Sequence, residues 1–256
     1  MRLAIYCALV CLPATLPLAA RGAEPAFDSE PVIATFSIVA CDPETGEVGA
    51  AVASMYPAVG KVVPYVKAGV GAFCSQYHHN PEFGPKALVM LETGLRPEEI
   101  LAELLRHDPK PEHRQLAIID LRGRAAHRNP TGATESGRWW GGASGRHYAV
   151  QGNTLAGRKV ITDMAAAYEE TAGTVADRLM AALVAGDDAG GDHRGRLAAG
   201  IRVARAAQAG DPEAKDFWLE LDVDKSDDAV NELAKKYTQW KTDNERETKT
   251  PAERQP

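Results

Sequence analysis

Short apolar runs separated by turn residues dominate the chain after its N-terminal segment. Residues 32–41 (VIATFSIVAC) and 48–53 (VGAAVA) are rich in β-branched and small apolar side chains. They flank the turn sequence DPETGE, so the pattern predicts a β-hairpin. A further strand or a pair of strands is predicted over 62–67 and 69–75, where glycines indicate close backbone packing.

Two tandem helices follow, because apolar residues recur at helical spacing over 84–93 and 97–106. The second begins with a proline and two glutamates, a usual helix start. Strands are then predicted at 114–120 and 123–128. Residues 129–146 are rich in Gly, Ser, Thr and Arg, which predicts a long loop. Its two adjacent tryptophans can line a pocket or cover a sheet edge.

The second half of the chain again combines strands with a pair of helices. The predicted elements are a strand at 147–152, helices at 158–170 and 173–186, a loop at 186–195, strands at 197–205 and 217–223, and a helix from a cap at 226–228 to residue 240. This order is not the single strand–helix alternation of a parallel doubly wound fold. It predicts an α+β protein in which two antiparallel sheets stack between helices, a four-layer αββα sandwich.

The two ends of the chain differ from the rest in composition. Residues 1–22 carry one early arginine, an apolar run and then small residues, the order of a secretory signal peptide. The run is too short for a spanning helix, and Pro13 and Pro17 break it. Residues 241–256 carry one apolar side chain and predict a disordered tail. We therefore expect a single domain over 23–240, periplasmic or secreted, with no membrane attachment after signal cleavage.

Composition and motifs exclude several function classes. The chain of 256 residues has 29 Lys and Arg against 35 Asp and Glu, a net charge of −6, and loss of the signal peptide makes it more negative. This balance argues against a nucleic-acid partner. The sequence has no zinc-type Cys/His spacing and no phosphate-binding, dinucleotide or GxSxG motif. We expect neither a cofactor nor a metal, and a small molecule or peptide as the ligand.

Two cysteines remain after removal of the signal peptide, Cys41 and Cys74. In an oxidising compartment they can form a disulfide, and both can equally be buried free thiols. The sequence does not decide between the two.

Several segments together resemble one known family. They are TFSIVA near the start, YPAVGKVVPYVKAGVGAFCSQYHHNPEFGPKAL, HYAVQGNTLAG, AGGDHRG, and FWLELDVDKSDDAVNEL. Over roughly residues 34–240 the chain resembles domain-of-unknown-function family 1028. The resemblance implies the fold of the N-terminal-nucleophile (Ntn) hydrolases, an αββα sandwich, in agreement with the element order. It implies no particular substrate.

An Ntn hydrolase attacks an amide with a Thr, Ser or Cys at the free N-terminus of its processed chain. The α-amine of that residue, with a pKa of about 7.7–8.0, accepts the proton. The resemblance places Thr35 in this role. In relatives without a signal peptide this threonine often follows the initiator Met, whereas here 34 residues precede it. A cut between Ala34 and Thr35 is therefore required, and Thr35 is otherwise a β-former at a strand start.

Four further residues are candidates for the catalytic group. Lys67 lies 32 residues after Thr35, a spacing similar to that of the lysine in proteasome-type sites, and is otherwise a surface lysine. Ser54 can bond the amine or act in a turn. Asn153 can donate to an oxyanion or cap a helix. Asp192, in the GGDHRG loop, can support the site or form a local salt bridge.

Substrate-binding candidates are Gln76, Asn80, Gln151 and Arg194. Arg194 can pair with a substrate carboxylate or with the nearby Asp192.

Two functions follow from these residues. One is an exported amidohydrolase that cleaves a small amide or peptide bond with Thr35 as nucleophile. The other is a non-catalytic exported binding or envelope-associated protein on the same fold. Such a sandwich can also form a homo-oligomer through its outer faces.

Overall fold

The strands of the computed structural model, which describes residues 32–33, 35–131, 138–205 and 217–248, form two antiparallel sheets. The strands are β1 (Val32–Ile33), β2 (Thr35–Asp42), β3 (Glu47–Ser54), β4 (Pro64–Lys67), β5 (Gly71–His78), β6 (Arg114–Asp120), β7 (Ala125–Arg128), β8 (Trp139–Gly145), β9 (Tyr148–Leu155), β10 (Ala198–Arg205) and β11 (Leu219–Val223). The helices are α1 (Phe83–Glu92), α2 (Pro97–Arg106), α3 (Lys159–Glu170), α4 (Val175–Asp188) and α5 (Ala229–Thr248).

The larger sheet has the strand order β11-β10-β3-β2-β9-β8. The smaller sheet has the order β1-β5-β6-β7, with β4 also paired to β5. The predicted hairpin is β2 and β3, in which Thr35 pairs with Ser54 and Asp42 with Glu47. The chain passes from the smaller to the larger sheet between β1 and β2, so the predicted strand over 32–41 is divided in two.

Alternation of side chains along the strands divides the core into layers. In β2, Phe36 and Ile38 belong to a core shared with α3 and α4, whereas Val39 and Cys41 belong to a core between the two sheets. A third core joins the smaller sheet to α1 and α2. The prediction of an α+β protein with two antiparallel sheets is confirmed, and the layers are consistent with a four-layer sandwich.

The loop predicted over 129–146 contains a strand, which corrects that prediction. β8 pairs with β9 at an edge of the larger sheet. Its sequence, WWGGASG, has two tryptophans, which favour strands, but also three glycines and no β-branched residue, so the strand depends on its pairing with β9. Trp139 packs against the core shared with α3 and α4.

The predicted disordered tail is wrong for residues 241–248, because α5 continues through Thr248. Two contacts support the extension without apolar burial. Lys241 Nζ lies 2.6 Å from Asp177 Oδ1 on α4, and Asn244 Nδ2 donates to the Trp240 carbonyl at 2.8 Å. Residues 249–256 and the predicted signal peptide lie outside the described residues. Within the described part of the chain, no helix has the length and apolar character needed to span a membrane.

The two remaining cysteines are free and buried in the structure. Burial raises the pKa of each thiol to about 12. Because the thiolate is the reactive form, we expect iodoacetamide to leave both thiols of the folded protein unmodified at neutral pH and to alkylate both in urea. Intact mass measures the labelling on protein lacking residues 1–22. A disulfide would instead leave the unfolded, unreduced protein unlabelled.

Candidate functional site

Polar side chains replace apolar ones at one end of the layer between the sheets. In β2 the residues facing the smaller sheet are Thr35 and Ser37, and then Val39 and Cys41. Strands β3, β5, β6 and β9 change in the same way towards this end. The resulting polar cluster consists of Thr35, Ser37, Ser54, Gln76, Gln115, Gln151 and Asn153, each no more than 1% exposed.

Antiparallel pairing explains why these residues meet. The start of β2 lies beside the ends of β3 and β9, since Thr35 pairs with Ser54 and Phe36 with Gly152. In the smaller sheet, Gln76 near the end of β5 pairs with the second residue of β6. Residues far apart in sequence are therefore neighbours in two stacked sheets.

Gln115 is the centre of the hydrogen bonds in the polar cluster. Its Oε1 accepts from Gln76 Nε2 and from Asn153 Nδ2, each at 2.8 Å. Its Nε2 donates to the Gly152 carbonyl at 2.8 Å and to Asn129 Oδ1 at 3.1 Å. This one side chain thus connects β5 and β6 of the smaller sheet to β9 of the larger sheet.

Thr35 is fully buried, and hydrogen bonds hold both its hydroxyl and its carbonyl. Its hydroxyl donates to the Ile33 carbonyl at 3.0 Å. Its own carbonyl accepts from Gln76 Nε2 at 3.2 Å. Asn153 Nδ2 also donates to the Ile33 carbonyl, at 3.5 Å. The residues that precede Thr35 form β1, which pairs with the end of β5.

Two buried acceptors of the polar cluster, Gln151 Oε1 and Asn153 Oδ1, have no hydrogen-bond donor in the described part of the chain. Reversal of the Asn153 amide would set its oxygen against Gln115 Oε1, so its orientation is fixed. Gln151 Nε2 donates to Ser37 Oγ and to the Cys74 carbonyl, both at 3.4 Å. An unsatisfied buried acceptor costs about 1–3 kcal/mol, so these two oxygens are suited to an N–H or O–H group of a ligand.

Two non-glycine residues beside the polar cluster have positive φ, Tyr77 at 67° and Thr154 at 51°. Tyr77 pairs with Ile33, and Thr154 directly follows Asn153. Bulky and β-branched residues rarely adopt this conformation, which costs about 1–3 kcal/mol and is concentrated at functional sites. The strain therefore favours a functional role for this end of the sandwich.

Asp192 lies beside the ends of β3 and β9. Its Oδ2 accepts from the Met55 backbone N–H at 3.3 Å, and a bridge joins its backbone to Leu155. Arg194 pairs with it through Nη2–Oδ2 at 3.0 Å and Nε–Oδ1 at 3.2 Å. The local salt bridge predicted as one alternative is thus present, and it offsets the charge of the fully buried Asp192 carboxylate.

Ser54 and Asn80 both hydrogen-bond in turns. Ser54 Oγ accepts from the Tyr56 N–H at 2.8 Å, although its backbone is directly opposite Thr35. Asn80 Oδ1 accepts from the Glu82 N–H at 3.0 Å, in the turn that precedes α1. Ser54 belongs to the polar cluster because it lies opposite Thr35. The structure does not bring the Asn80 side chain into the cluster.

Lys67 lies away from Thr35, which corrects its predicted role. It pairs with Gly71 at the beginning of β5, about 17 Å along the strand from Gln76 at about 3.4 Å per residue. Its Nζ forms an exposed ion pair with Glu92 at 2.6 Å. The sequence spacing was misleading because β4 pairs with the end of β5 that is remote from the polar cluster.

Ser37 and Gln115 are not among the site residues predicted from the sequence, although the alternation of side chains along β2 and β6 contains the signal for both. Ser37 is two residues after Thr35 and so faces the same side of β2. Gln115 alternates with Ala117 and Ile119, which belong to the core between the sheets. A polar residue in register with such a core is a candidate for a buried polar site.

A buried ion pair holds the ends of β5 and β6 that form the site. Arg114 Nε donates to Asp108 Oδ2 at 2.6 Å and its Nη2 donates to Oδ1 at 3.0 Å. Arg114 Nη1 also donates to the His78 carbonyl at 2.6 Å. Burial acts to raise the pKa of the Asp108 carboxyl, but the hydrogen bonds from Arg114 and from the Lys110 backbone outweigh it, so the pKa lies below its usual value.

We expect Asp108→Asn to lower the free energy of unfolding by about 3–5 kcal/mol, since Arg114 would remain buried without its carboxylate. A carboxyl whose pKa is lowered by folding stabilises the protein above its unfolded pKa of about 3.9, and this contribution is lost as the pH falls through the folded value. The variant should therefore lose less stability than the wild type below about pH 4. Urea denaturation across pH measures both effects.

The matched control for this prediction is Glu92→Gln, which removes the exposed partner of Lys67. We expect it to change stability by about 1 kcal/mol or less. Equal losses in the two variants would contradict the assignment of the Asp108 pair as a support of the site.

The site is poor in ionised groups. The polar cluster contains hydroxyls and neutral amides, and Asp192 beside it is paired with Arg194. Among residues 32–33, 35–131, 138–205 and 217–248, no group of three or more His, Cys, Asp or Glu is arranged to hold a metal ion. This arrangement offers hydroxyl groups together with neutral hydrogen-bond donors and acceptors.

Comparison with known proteins gives the family of the chain. The sequence model of DUF1028, a family of unknown function, matches residues 35–233, beginning at Thr35. The chain belongs to the DUF1028 family. The crystal structure of a DUF1028 protein from Silicibacter pomeroyi has a TM-score of 0.70 to it at 29% identity, covering 80% of this chain and 88% of the other. No curated protein matches. The family resemblance expected from the sequence is thus confirmed.

Proposed function

We propose that this DUF1028 protein is an exported Ntn-type amidohydrolase, in which Thr35 becomes the N-terminal residue and attacks a small amide or peptide bond. The observation that carries the proposal is the position of Thr35. It begins β2 inside the buried polar cluster, with its hydroxyl bonded to the chain that precedes it. Two stacked antiparallel sheets between helices, the architecture of Ntn hydrolases, also support it.

The first step is cleavage between Ala34, which lies outside the described residues, and Thr35. The Thr35 hydroxyl oxygen attacks the Ala34 carbonyl carbon, the C–N bond breaks, and the hydroxyl proton ends on the threonine nitrogen. Water then hydrolyses the resulting ester to a carboxylate and regenerates the hydroxyl. The freed α-amine, with a pKa of about 7.7–8.0, is the base for later turnovers.

In each turnover the neutral amine accepts the hydroxyl proton as Thr35 attacks the substrate carbonyl, and this proton passes to the leaving amine. Water hydrolyses the acyl ester and releases the acid. Asn153 is the proposed donor to the developing oxyanion, because its Nδ2 lies 3.5 Å from the Ile33 carbonyl, one peptide before the bond that is cleaved. Its unpartnered Oδ1 is suited to accept an N–H of the freed amine.

A different observation favours the second candidate function. Thr35 is fully buried, and in the uncleaved chain its nitrogen belongs to a peptide bond. In that form the protein would be a non-catalytic exported binding or envelope-associated protein, in which the unpartnered acceptors of Gln151 and Asn153 bind a ligand.

N-terminal sequencing and intact mass of the exported protein distinguish the two functions. A chain that begins at Thr35 is expected for the hydrolase. A chain that begins near residue 23 and keeps β1 would contradict the hydrolase and favour the binding protein. A screen of small amides and peptides, performed on the same preparation, then tests turnover directly.

A further inference from the structure

β1 lies where the acyl half of a peptide substrate would lie relative to Thr35. Val32 and Ile33 come immediately before Ala34, so they lie on the acyl side of the bond that the proposed processing cleaves. They do not pack as an irregular loop. They pair antiparallel with the last two residues of β5 and extend the smaller sheet by one short strand. The acyl side of this bond is thus bound by strand addition.

The part of β5 available for this pairing is short. β6 pairs with one edge of β5 over residues 71–77, so β1 and β4 must share the other edge. β4 pairs with residues 71–74, and the Ser75 N–H donates to the Val63 carbonyl at 3.2 Å. Only the end of β5, from Gln76 onwards, remains for the segment before Thr35. This length matches an acyl group of two or three residues.

The side chain and the carbonyl of Ile33 have different surroundings. Its side chain is 1% exposed and belongs to the apolar core between the sheets. Its carbonyl accepts from the Thr35 hydroxyl and from Asn153 Nδ2. When the segment before Thr35 is lost, the Ile33 side chain leaves a space among apolar residues. Filling that space with a similar side chain of a substrate is favourable.

We infer that the processed protein acts on short peptides whose acyl side adds to the end of β5 as β1 does. The residue that supplies the acyl carbonyl is small, as alanine is in the sequence before Thr35. The residue before it is large and aliphatic, and takes the place of the Ile33 side chain. This inference rests on the proposed function and names its substrate class.

The test uses the exported protein after sequencing has shown Thr35 at its N-terminus. Its kcat/KM is compared for coumarin amides of acetyl-Val-Ile-Ala, acetyl-Val-Asp-Ala and acetyl-Ala. Burial of the isoleucine side chain is worth about 1.5–3 kcal/mol, so we expect acetyl-Val-Ile-Ala to exceed the other two by about tenfold to a hundredfold. N-methylation of the Val or the Ile tests the backbone pairing, and we expect about a tenfold loss at one of the two positions.

The outcomes separate this inference from the proposed function. Equal rates for acetyl-Ala and the tripeptides, or full tolerance of N-methylation at both positions, would overturn the inference while hydrolysis by Thr35 stands. A chain that begins at Thr35 but cleaves none of these peptides would also overturn the inference. A chain that begins upstream of Thr35 and shows no turnover would overturn the proposed function itself, and the inference with it.

Discussion

Thr35→Ala is expected to leave the Ala34–Thr35 bond intact and to reduce amide hydrolysis by about 10⁴-fold or more, because it removes the attacking oxygen of both reactions. The substitution deletes one hydrogen bond, from the hydroxyl to the Ile33 carbonyl, which is worth about 1 kcal/mol. The variant should therefore stay folded. Intact mass and the rate of peptide hydrolysis measure the two losses, and the far-ultraviolet circular dichroism should be unchanged.

Two controls accompany this variant. Thr35→Ser retains a hydroxyl and should still be cleaved. Thr93→Ala deletes a comparable hydroxyl bond, from Oγ1 to the Met90 carbonyl at an exposed helix end, and should be processed and active as the wild type is. Normal processing of Thr35→Ala would contradict the assignment of the nucleophile.

Hydrolysis by the wild type should rise with pH through the pKa of the α-amine, about 7.7–8.0, since only the neutral amine accepts a proton.

Gln115→Met is expected to lower the free energy of unfolding by about 3 kcal/mol or more. The methionine fills nearly the same volume but accepts no hydrogen bond from Gln76 Nε2 or Asn153 Nδ2, and donates none to the Gly152 carbonyl. Each buried group left unpaired costs about 1–3 kcal/mol. Urea denaturation of the purified variant measures the loss of stability. The variant should also lose processing, because Asn153 Nδ2 no longer has its hydrogen bond to Gln115.

The matched control is Gln239→Met on α5. Gln239 is exposed, and its Nε2 donates to the carboxylate of Asp243 one turn further along the same helix. The same chemical change there should alter stability by about 0.5 kcal/mol or less. Similar effects at both positions would show that the polar cluster does not depend on Gln115.

The parts of the fold that follow from local signals were predicted closely. α2 was predicted over 97–106 and is observed over Pro97–Arg106, because proline and two glutamates define its first turn and its apolar residues keep helical spacing. The β2–β3 hairpin follows from two apolar runs and a turn sequence between them. β8 and the last turns of α5 were not predicted, since each depends on a partner, β9 or α4, that is not its neighbour in sequence.

Local patterns and the family resemblance were enough to predict the α+β class, the order of most elements, the family, and the interest of Thr35, Gln76 and Asn153. In the structure Gln76 and Asn153 both bond Gln115, and Gln76 also bonds the Thr35 carbonyl, whereas Lys67 lies at the far end of β5. Hydrophobic alternation assigns a face to each residue of a strand. Which strand ends lie together depends on pairing between segments distant along the chain, and local patterns do not encode that pairing.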